Sequence, residues 1–292
     1  MGIADVRNEY INIPASRDKG TEIPVGATIP EASDGGKVPV VVMVHGFLGT
    51  KDEWGFYYGA TEEERGFDSI AARLYELGIG TIRVDMPGNG DSADDFRNYT
   101  LEKCRGDLED GYRYCMEKYG FDPCRVGFLG WSMGAKIGSV FLLEHPEIKN
   151  AVLLNPAGDN GGRSIMNAVQ AGLDYKGLRE VALKKGEVLN EAATEVFGHE
   201  FYMSKDFFDQ VDASETGDEI RQYISSGRRG LMIYGDSDSS ISKETYKWLR
   251  ENTGIQSLCV QDMAHDMGLE SERPDFTITV TDTVAAFYNC YL

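Results

Sequence analysis

The sequence is short of positive charge: 29 lysines and arginines stand against 48 aspartates and glutamates, a formal charge of −19 at pH 7. Phosphate backbones and anionic membrane surfaces attract basic patches, so this balance argues against nucleic acid and such membranes as partners and reads as a well-solvated surface. Cysteine is scarce and unpatterned. Its five residues (Cys104, Cys115, Cys124, Cys259, Cys290) are odd in number and lack a CxxC pair, which fits free thiols in a reducing compartment better than a disulfide framework or a zinc site. No apolar run approaches the roughly 18 residues a transmembrane helix takes. The opening "MGIADVRNEY" has no apolar signal core, and Val6 stands where a myristoylation signal wants Ser or Thr. A soluble, cytoplasmic protein is expected. There is no P-loop, no HExxH or similar metal cluster and no internal repeat, so no cofactor or metal is expected.

What is present alternates. An antiparallel pair near Glu9–Ile13 and Glu22–Ile29 is followed by "KVPVVVMVHG", a continuous apolar run suited to a strand buried on both faces. "GFDSIAARLYELG" repeats Phe67, Ile70, Ala71, Leu74 and Leu77 at helical spacing. "IGTIRVD" reads as a strand, and "LEKCRGDLEDGYRYCMEKYG" as a helix with Leu101, Cys104, Leu108, Cys115 and Tyr119 on one stripe. "CRVGFLG", "NAVLLN", "GLMIYG" and "QSLCVQ" are further strands, and "FTITVTDTVAAFYNCYL" a closing helix. Strands alternating with amphipathic helices predict a mostly parallel central sheet covered by helices on both faces. One interval is too long for a simple crossover: between "NAVLLN" and "GLMIYG" lie helical patterns ("SIMNAVQAGL", "LREVALKKGEVLNEAA") and the aromatics Phe197, Phe201, Tyr202, Phe207 and Phe208. This predicts a core at 1–156 and 227–292 with an inserted cap at 157–226, above the carboxyl edge where open α/β sheets bind ligands.

The chemistry centres on Gly130-Trp131-Ser132-Met133-Gly134, a GxSxG stretch between a buried strand and a helix. Such an elbow needs glycines because the turn is strained and the helix packs close to neighbouring strands. A serine hydroxyl is a weak nucleophile, so a base must take its proton and an acid must orient that base. Histidine is rare enough for elimination. His45 follows a strand directly, His145 precedes Pro146 at a helix end and reads as a capping or surface residue, and His199 reads as a solvated residue of the cap. His265, in "DMAHDMG", falls between the last strand and the last helix, at the same sheet edge as Ser132. For the acid, "YGDSDSS" offers Asp236 and Asp238, with Asp159 a less favoured third. An oxyanion hole takes one backbone amide from Met133, after the nucleophile, and a second from the loop after "VVVMVHG", where Phe47 is the expected donor. A decoy is present: "GNGDSA" (Gly88 to Ala93) fits a dinucleotide fingerprint, but no apolar-periodic helix opens after it to hold a pyrophosphate.

On "VVVMVHGFLGTKDEW", "RVDMPGNGDSADD", "GFLGWSMGAKIG", "YGDSDSSIS" and "DMAHD", the chain resembles the α/β-hydrolase superfamily over essentially its whole length. The resemblance implies an α/β-hydrolase fold, and it selects Asp238, the fourth place of the G-x-x-D stretch, as the acid. The "HGF" opening, the Asp85-to-Ser92 stretch and the cap look most like the bacterial cinnamoyl and feruloyl esterases, which cleave esters of hydroxycinnamic acids with a Ser-His-Asp triad. "DEWGFYYGATEEER" is longer than that group's pattern and offers Trp54, Tyr57 and Tyr58 as substrate-pocket residues. The expectation is therefore a serine esterase acting on a small-molecule ester, with Ser132, His265 and Asp238 as triad. A thioesterase, peptidase or acyltransferase using the same triad is the alternative, and a ligand-binding module without turnover a more distant one. The sequence is compatible with a homodimer.

Overall fold

The computed structural model describes residues 6–32, 35–52, 66–163, 174–268 and 273–292. The pocket candidates Trp54, Tyr57 and Tyr58, and the helical pattern at 164–173, lie outside the described residues.

Among the described residues, eight strands form one sheet: β1 (Asn8–Pro14), β2 (Glu22–Thr28), β3 (Val40–Val44), β4 (Gly80–Val84), β5 (Val126–Trp131), β6 (Ile148–Leu154), β9 (Arg229–Gly235) and β10 (Gln256–Val260). Their spatial order is β1-β2-β4-β3-β5-β6-β9-β10. The β1–β2 and β2–β4 pairs are antiparallel; from β4 through β3 to β10 every pair is parallel. The N-terminal hairpin and the parallel run both match the sequence expectation.

The apolar run of β3 is continuous because the strand feeds two cores. Val40, Val42 and Val44 pack on one face with Leu101, Cys104 and Leu108 of α2 (Leu101–Tyr119) and with Ile137 and Phe141 of α3 (Met133–Glu144). Val41 and Met43 point the other way, to Phe67, Ile70 and Leu74 of α1 (Gly66–Glu76) and to Val280, Val284 and Tyr288 of α9 (Pro274–Tyr291). Alternation of side chains along a strand requires this arrangement in a sheet covered on both sides. Helix α2 starts where Thr100 accepts from the Lys103 amide and stops at Gly120, which takes the left-handed conformation.

Between β6 and β9 the chain forms α4 (Tyr175–Lys185), β7 (Glu187–Leu189), α5 (Glu191–Phe197), β8 (Tyr202–Ser204), α6 (Lys205–Ala213) and α7 (Thr216–Ser225). β7 and β8 pair antiparallel as a separate two-stranded sheet. The helical reading of "LREVALKKGEVLNEAA" is interrupted here: Gly186 (φ +91°) ends α4, β7 follows, and Asn190 caps α5 by accepting from the Ala193 amide. α7 packs on α3 and buries Ile220 and Tyr223 in the main core, forming the crossover that the parallel β6–β9 pair needs. Helix α8 (Lys243–Asn252), capped by Ser242, joins β9 to β10. No helix of the described residues is long and apolar enough to cross a membrane.

Candidate active site

Ser132 sits between β5 and α3 with φ +52° and ψ −116°, a left-handed backbone value that a residue with a side chain adopts only under constraint. The constraint is visible. Its amide donates to the Leu154 carbonyl (2.9 Å) and its carbonyl accepts from the Ala157 amide (3.1 Å), so the elbow is tied to the end of β6. The glycines of the motif are explained by close approach: a Cβ at Gly134 would lie 2.1 Å from the Val44 carbonyl oxygen, and one at Gly130 would lie 2.8 Å from the Ala135 nitrogen. Gly134→Ala should therefore force α3 away from β3 and lower stability by about 3 kcal/mol, an overpacking penalty readable as a shift in the urea midpoint.

Loops at the carboxyl edge bring the partners. His265 follows β10, and its Nε2 lies 3.0 Å from Ser132 Oγ. Its Nδ1 lies 2.8 Å from Asp238 Oδ2, on the loop after β9. Asp238 Oδ1 accepts from the amides of Ser240 (2.8 Å) and Ile241 (3.0 Å). Burial pushes the Asp238 carboxyl up, but attraction to the His265 ring when that ring is protonated and hydrogen bonds from His265, Tyr246 and the Ile241 amide outweigh it and hold the group below the ordinary aspartate value. Its ionised form thus contributes stability that is present above the ordinary value and lost as pH falls through the depressed one. An ionised carboxylate only accepts, so the proton of His265 lies on Nδ1, and Nε2 faces the serine hydroxyl as an acceptor.

Of the two aspartates the motif left open, only Asp238 reaches the imidazole. Asp236 accepts from the Asp262 amide at 2.6 Å instead. Asp159 is buried beside α3, where its carbonyl accepts from Lys136. The other histidines are placed elsewhere. His45 is fully buried, with Nδ1 2.7 Å from the Gly46 carbonyl and Nε2 accepting from the Met86 amide at 3.0 Å, and burial lowers its pKa. His145 ends α3 between Glu109 and Glu147, and His199 is exposed beside Phe197 and Phe201.

The oxyanion candidates lie next to the elbow. Met133 opens α3, so its N–H is among the first-turn amides that no i−4 carbonyl of the helix satisfies. Phe47 belongs to the turn after β3, where Leu48 has φ +61° and a Cβ at Gly46 would come within 2.8 Å of the Trp131 ring and 3.0 Å of Ser132 Cβ. That turn is anchored by a buried carboxylate. Asp85 accepts from the amides of Lys51 (2.6 Å) and Asp91 (2.9 Å) and from Lys51 Nζ (3.0 Å). The "GNGDSA" stretch thus wraps an internal anion: a Cβ at Gly90 would meet the Asp85 carboxylate at 2.4 Å. A short 3₁₀ turn, Phe96–Asn98, follows it.

Two residues here had no sequence signal. Asn155, at the end of β6 with φ +38°, accepts from the Gly235 amide through Oδ1 (3.0 Å) and donates to the His265 carbonyl through Nδ2 (2.9 Å). It holds the histidine loop and the end of β9 in register with the elbow. Lys136, one turn along α3 from Ser132, is buried, and its Nζ donates to the carbonyls of Asp159 (2.8 Å) and Gly161 (3.0 Å) and to the hydroxyls of Ser214 (3.1 Å) and Thr216 (3.2 Å). Burial lowers its pKa from the ordinary 10.5 to about 8, against a smaller raising effect of the Asp159 and Glu219 carboxylates. Between those values the unfolded chain holds the proton that the folded chain has released, so stability from this group rises with pH. Relative to Lys136→Met, the wild type should gain up to about 3 kcal/mol across that window in urea unfolding.

Aromatic rings of the segment between β6 and β9 close on the Phe47 turn. Phe207 lies 5.8 Å from Phe47 between centroids, Phe201 lies 3.9 Å from Phe96, and Phe47 meets Phe96 (5.5 Å) and Tyr99 (5.6 Å) edge-on. Among the described residues, no group of three or more His, Cys, Asp or Glu side chains is arranged to hold a metal ion.

A buried serine on a strand–helix elbow, met by loops following later parallel strands, defines a class, and the comparisons agree with it. The sequence model of the alpha/beta hydrolase fold family matches residues 39–188, and the chain belongs to that family. Three solved structures of like fold illustrate its range. The esterase domain of a Rhodothermus marinus protein is 16% identical, with 98% of this chain and 99% of that one covered and a TM-score of 0.66. Est1E from Butyrivibrio proteoclasticus, solved with ferulic acid bound, is 18% identical over 94% and 99% of the two chains, TM-score 0.66. An esterase from Pyrococcus furiosus is 16% identical over 97% and 91%, TM-score 0.63. No curated protein matches the sequence.

Proposed function

We propose that this chain is a serine esterase, cleaving carboxylic esters through an acyl-enzyme with Ser132 as nucleophile, His265 as base and Asp238 as the acid that orients it. The observation that carries the reading is the unbroken hydrogen-bonded chain from Ser132 Oγ through His265 (3.0 Å) to Asp238 (2.8 Å). His265 Nε2 takes the serine proton as Oγ attacks the ester carbonyl, and Asp238 stabilises the imidazolium that forms. The amides of Phe47 and Met133 donate to the tetrahedral oxyanion, each contributing about 3 kcal/mol of transition-state stabilisation. The imidazolium returns its proton to the leaving alkoxide. Water, activated by the same imidazole, then hydrolyses the acyl-enzyme.

Within the 157–226 segment, α7 belongs to the core, while α4 to α6 are read as the cap over the site. Its rings Phe201 and Phe207, packed toward the Phe47 turn, support a pocket for an apolar or aromatic acyl group. Trp54, Tyr57 and Tyr58 are proposed as further pocket residues. The likeness of fold to Est1E, with its bound ferulic acid, supports a cinnamoyl- or feruloyl-type ester as substrate.

The test is kcat/KM across p-nitrophenyl esters of rising chain length, methyl ferulate, and matched thioester and peptide substrates. Esters should be preferred, with methyl ferulate turned over. Turnover of short aliphatic esters without ferulate would remove the aromatic-acyl reading, and a preference for thioester or peptide would remove the esterase reading.

A further inference from the structure

The Asp238 carboxylate has more donors than orientation requires. Two backbone amides grip Oδ1, and His265 Nδ1 lies on Oδ2; Oδ2 then accepts a further hydrogen bond from the Tyr246 hydroxyl. Tyr246 comes from α8, is buried, and stands with its ring against Tyr234 of β9 (centroids 4.6 Å, planes 30° apart). Phenol and imidazole therefore compete for one oxygen. Every hydrogen bond to a carboxylate disperses its negative charge, so the phenol weakens the field with which Asp238 stabilises an imidazolium at His265. It also anchors Oδ2 from the side of α8, so the oxygen cannot swing away from Nδ1.

We propose that Tyr246 is a positioning residue of the site, whose hydroxyl, bonded to Asp238 Oδ2, sets how readily His265 accepts the proton of Ser132. The inference rests on the proposed triad. The pKa directions agree with it: Tyr246 is among the groups that lower the Asp238 carboxyl, and burial followed by the Asp238 charge holds the phenol protonated. The other charged or titratable groups in this neighbourhood are few. Tyr234 faces the Tyr246 ring and is itself approached by Arg250 of α8 (3.5 Å) and by Cys259 of β10. Asp262 and Asp266 lie on the His265 loop, and Asp236 is held on the Asp262 amide. None of these donates to Asp238, so removing the phenol hydroxyl changes one hydrogen bond.

The experiment is Tyr246→Phe, which keeps the ring and deletes the donor. The rate of serine labelling by a small fluorophosphonate is followed against pH, a readout that needs no knowledge of the substrate. The acid limb of that profile should move to higher pH by about half a unit, since a less shared carboxylate favours the imidazolium. The plateau rate should stay within about threefold. The low-field NMR resonance of the His265 Nδ1 proton should shift downfield in the same variant. Should the phenylalanine variant fold poorly, Tyr246→Met carries both measurements. An acid limb and a Nδ1 resonance unchanged from wild type in a folded variant would overturn the proposal, because a purely structural tyrosine would alter stability and leave both in place. Wild-type protein that takes no label would count against the esterase reading instead, and the Nδ1 resonance would then decide on Tyr246 alone.

Discussion

Replacing Ser132 with alanine is expected to lower kcat on the best ester by about 10⁶-fold, leaving only what binding and the oxyanion donors supply. The substitution removes one oxygen from a residue that is 6% exposed and whose hydroxyl faces His265, so the thermal midpoint should move little. His265→Ala should cost about as much. The double variant should be no worse than either single one, because nucleophile and base act as a unit and the second deletion removes nothing still in use. Steady-state kinetics on a p-nitrophenyl ester, with circular dichroism to check folding, measures all three. Losses that multiplied in the double variant would mean that the two side chains act separately.

The second large effect separates two aspartates two positions apart. Asp238→Asn should lower kcat by about 10⁴-fold, whereas Asp236→Asn should stay within about threefold. The reason is a conflict of donors. The Ser240 and Ile241 amides hold Oδ1, so an asparagine at 238 keeps its oxygen there and turns its NH₂ toward His265 Nδ1 and the Tyr246 hydroxyl. Donor then meets donor, and the imidazole takes the tautomer with its proton on Nε2, which cannot accept from serine. Asp236 fastens the Asp262 amide and meets the Ser237 hydroxyl, not the imidazole. Equal losses in the two variants would contradict this assignment.

The fold was legible where a residue has one possible job. The apolar run of β3 can only be a strand with two buried faces, and the glycines around Ser132 can only be places where backbone approaches backbone. That Ser132 and His265 should meet at one sheet edge was readable from chain order and from the scarcity of histidine, and they lie 3.0 Å apart. Choosing between Asp236 and Asp238 was different, because both lie in one turn and local sequence favours neither; only the family resemblance pointed to Asp238. The choice depends on which carboxylate the amides at 240 and 241 turn toward the imidazole. Asn155 and Tyr246 were illegible for a related reason. Each looks ordinary in its own element, and each acts on a partner the fold brings from elsewhere: Asn155 on Gly235 and His265, Tyr246 on a carboxylate eight positions upstream. Lys136 carried no signal either, because its partners come from distant parts of the chain: its ammonium gathers the chain that leaves β6 and the turn that enters α7. Gly186 broke a helical pattern that periodicity alone extended too far.

The most direct measurement is the intact mass of the folded protein after brief exposure to a fluorophosphonate, followed by peptide mapping. A single adduct on Ser132, absent in His265→Ala over the same exposure, is expected. A folded protein that takes no adduct, or carries it on another residue, would contradict a serine nucleophile at position 132.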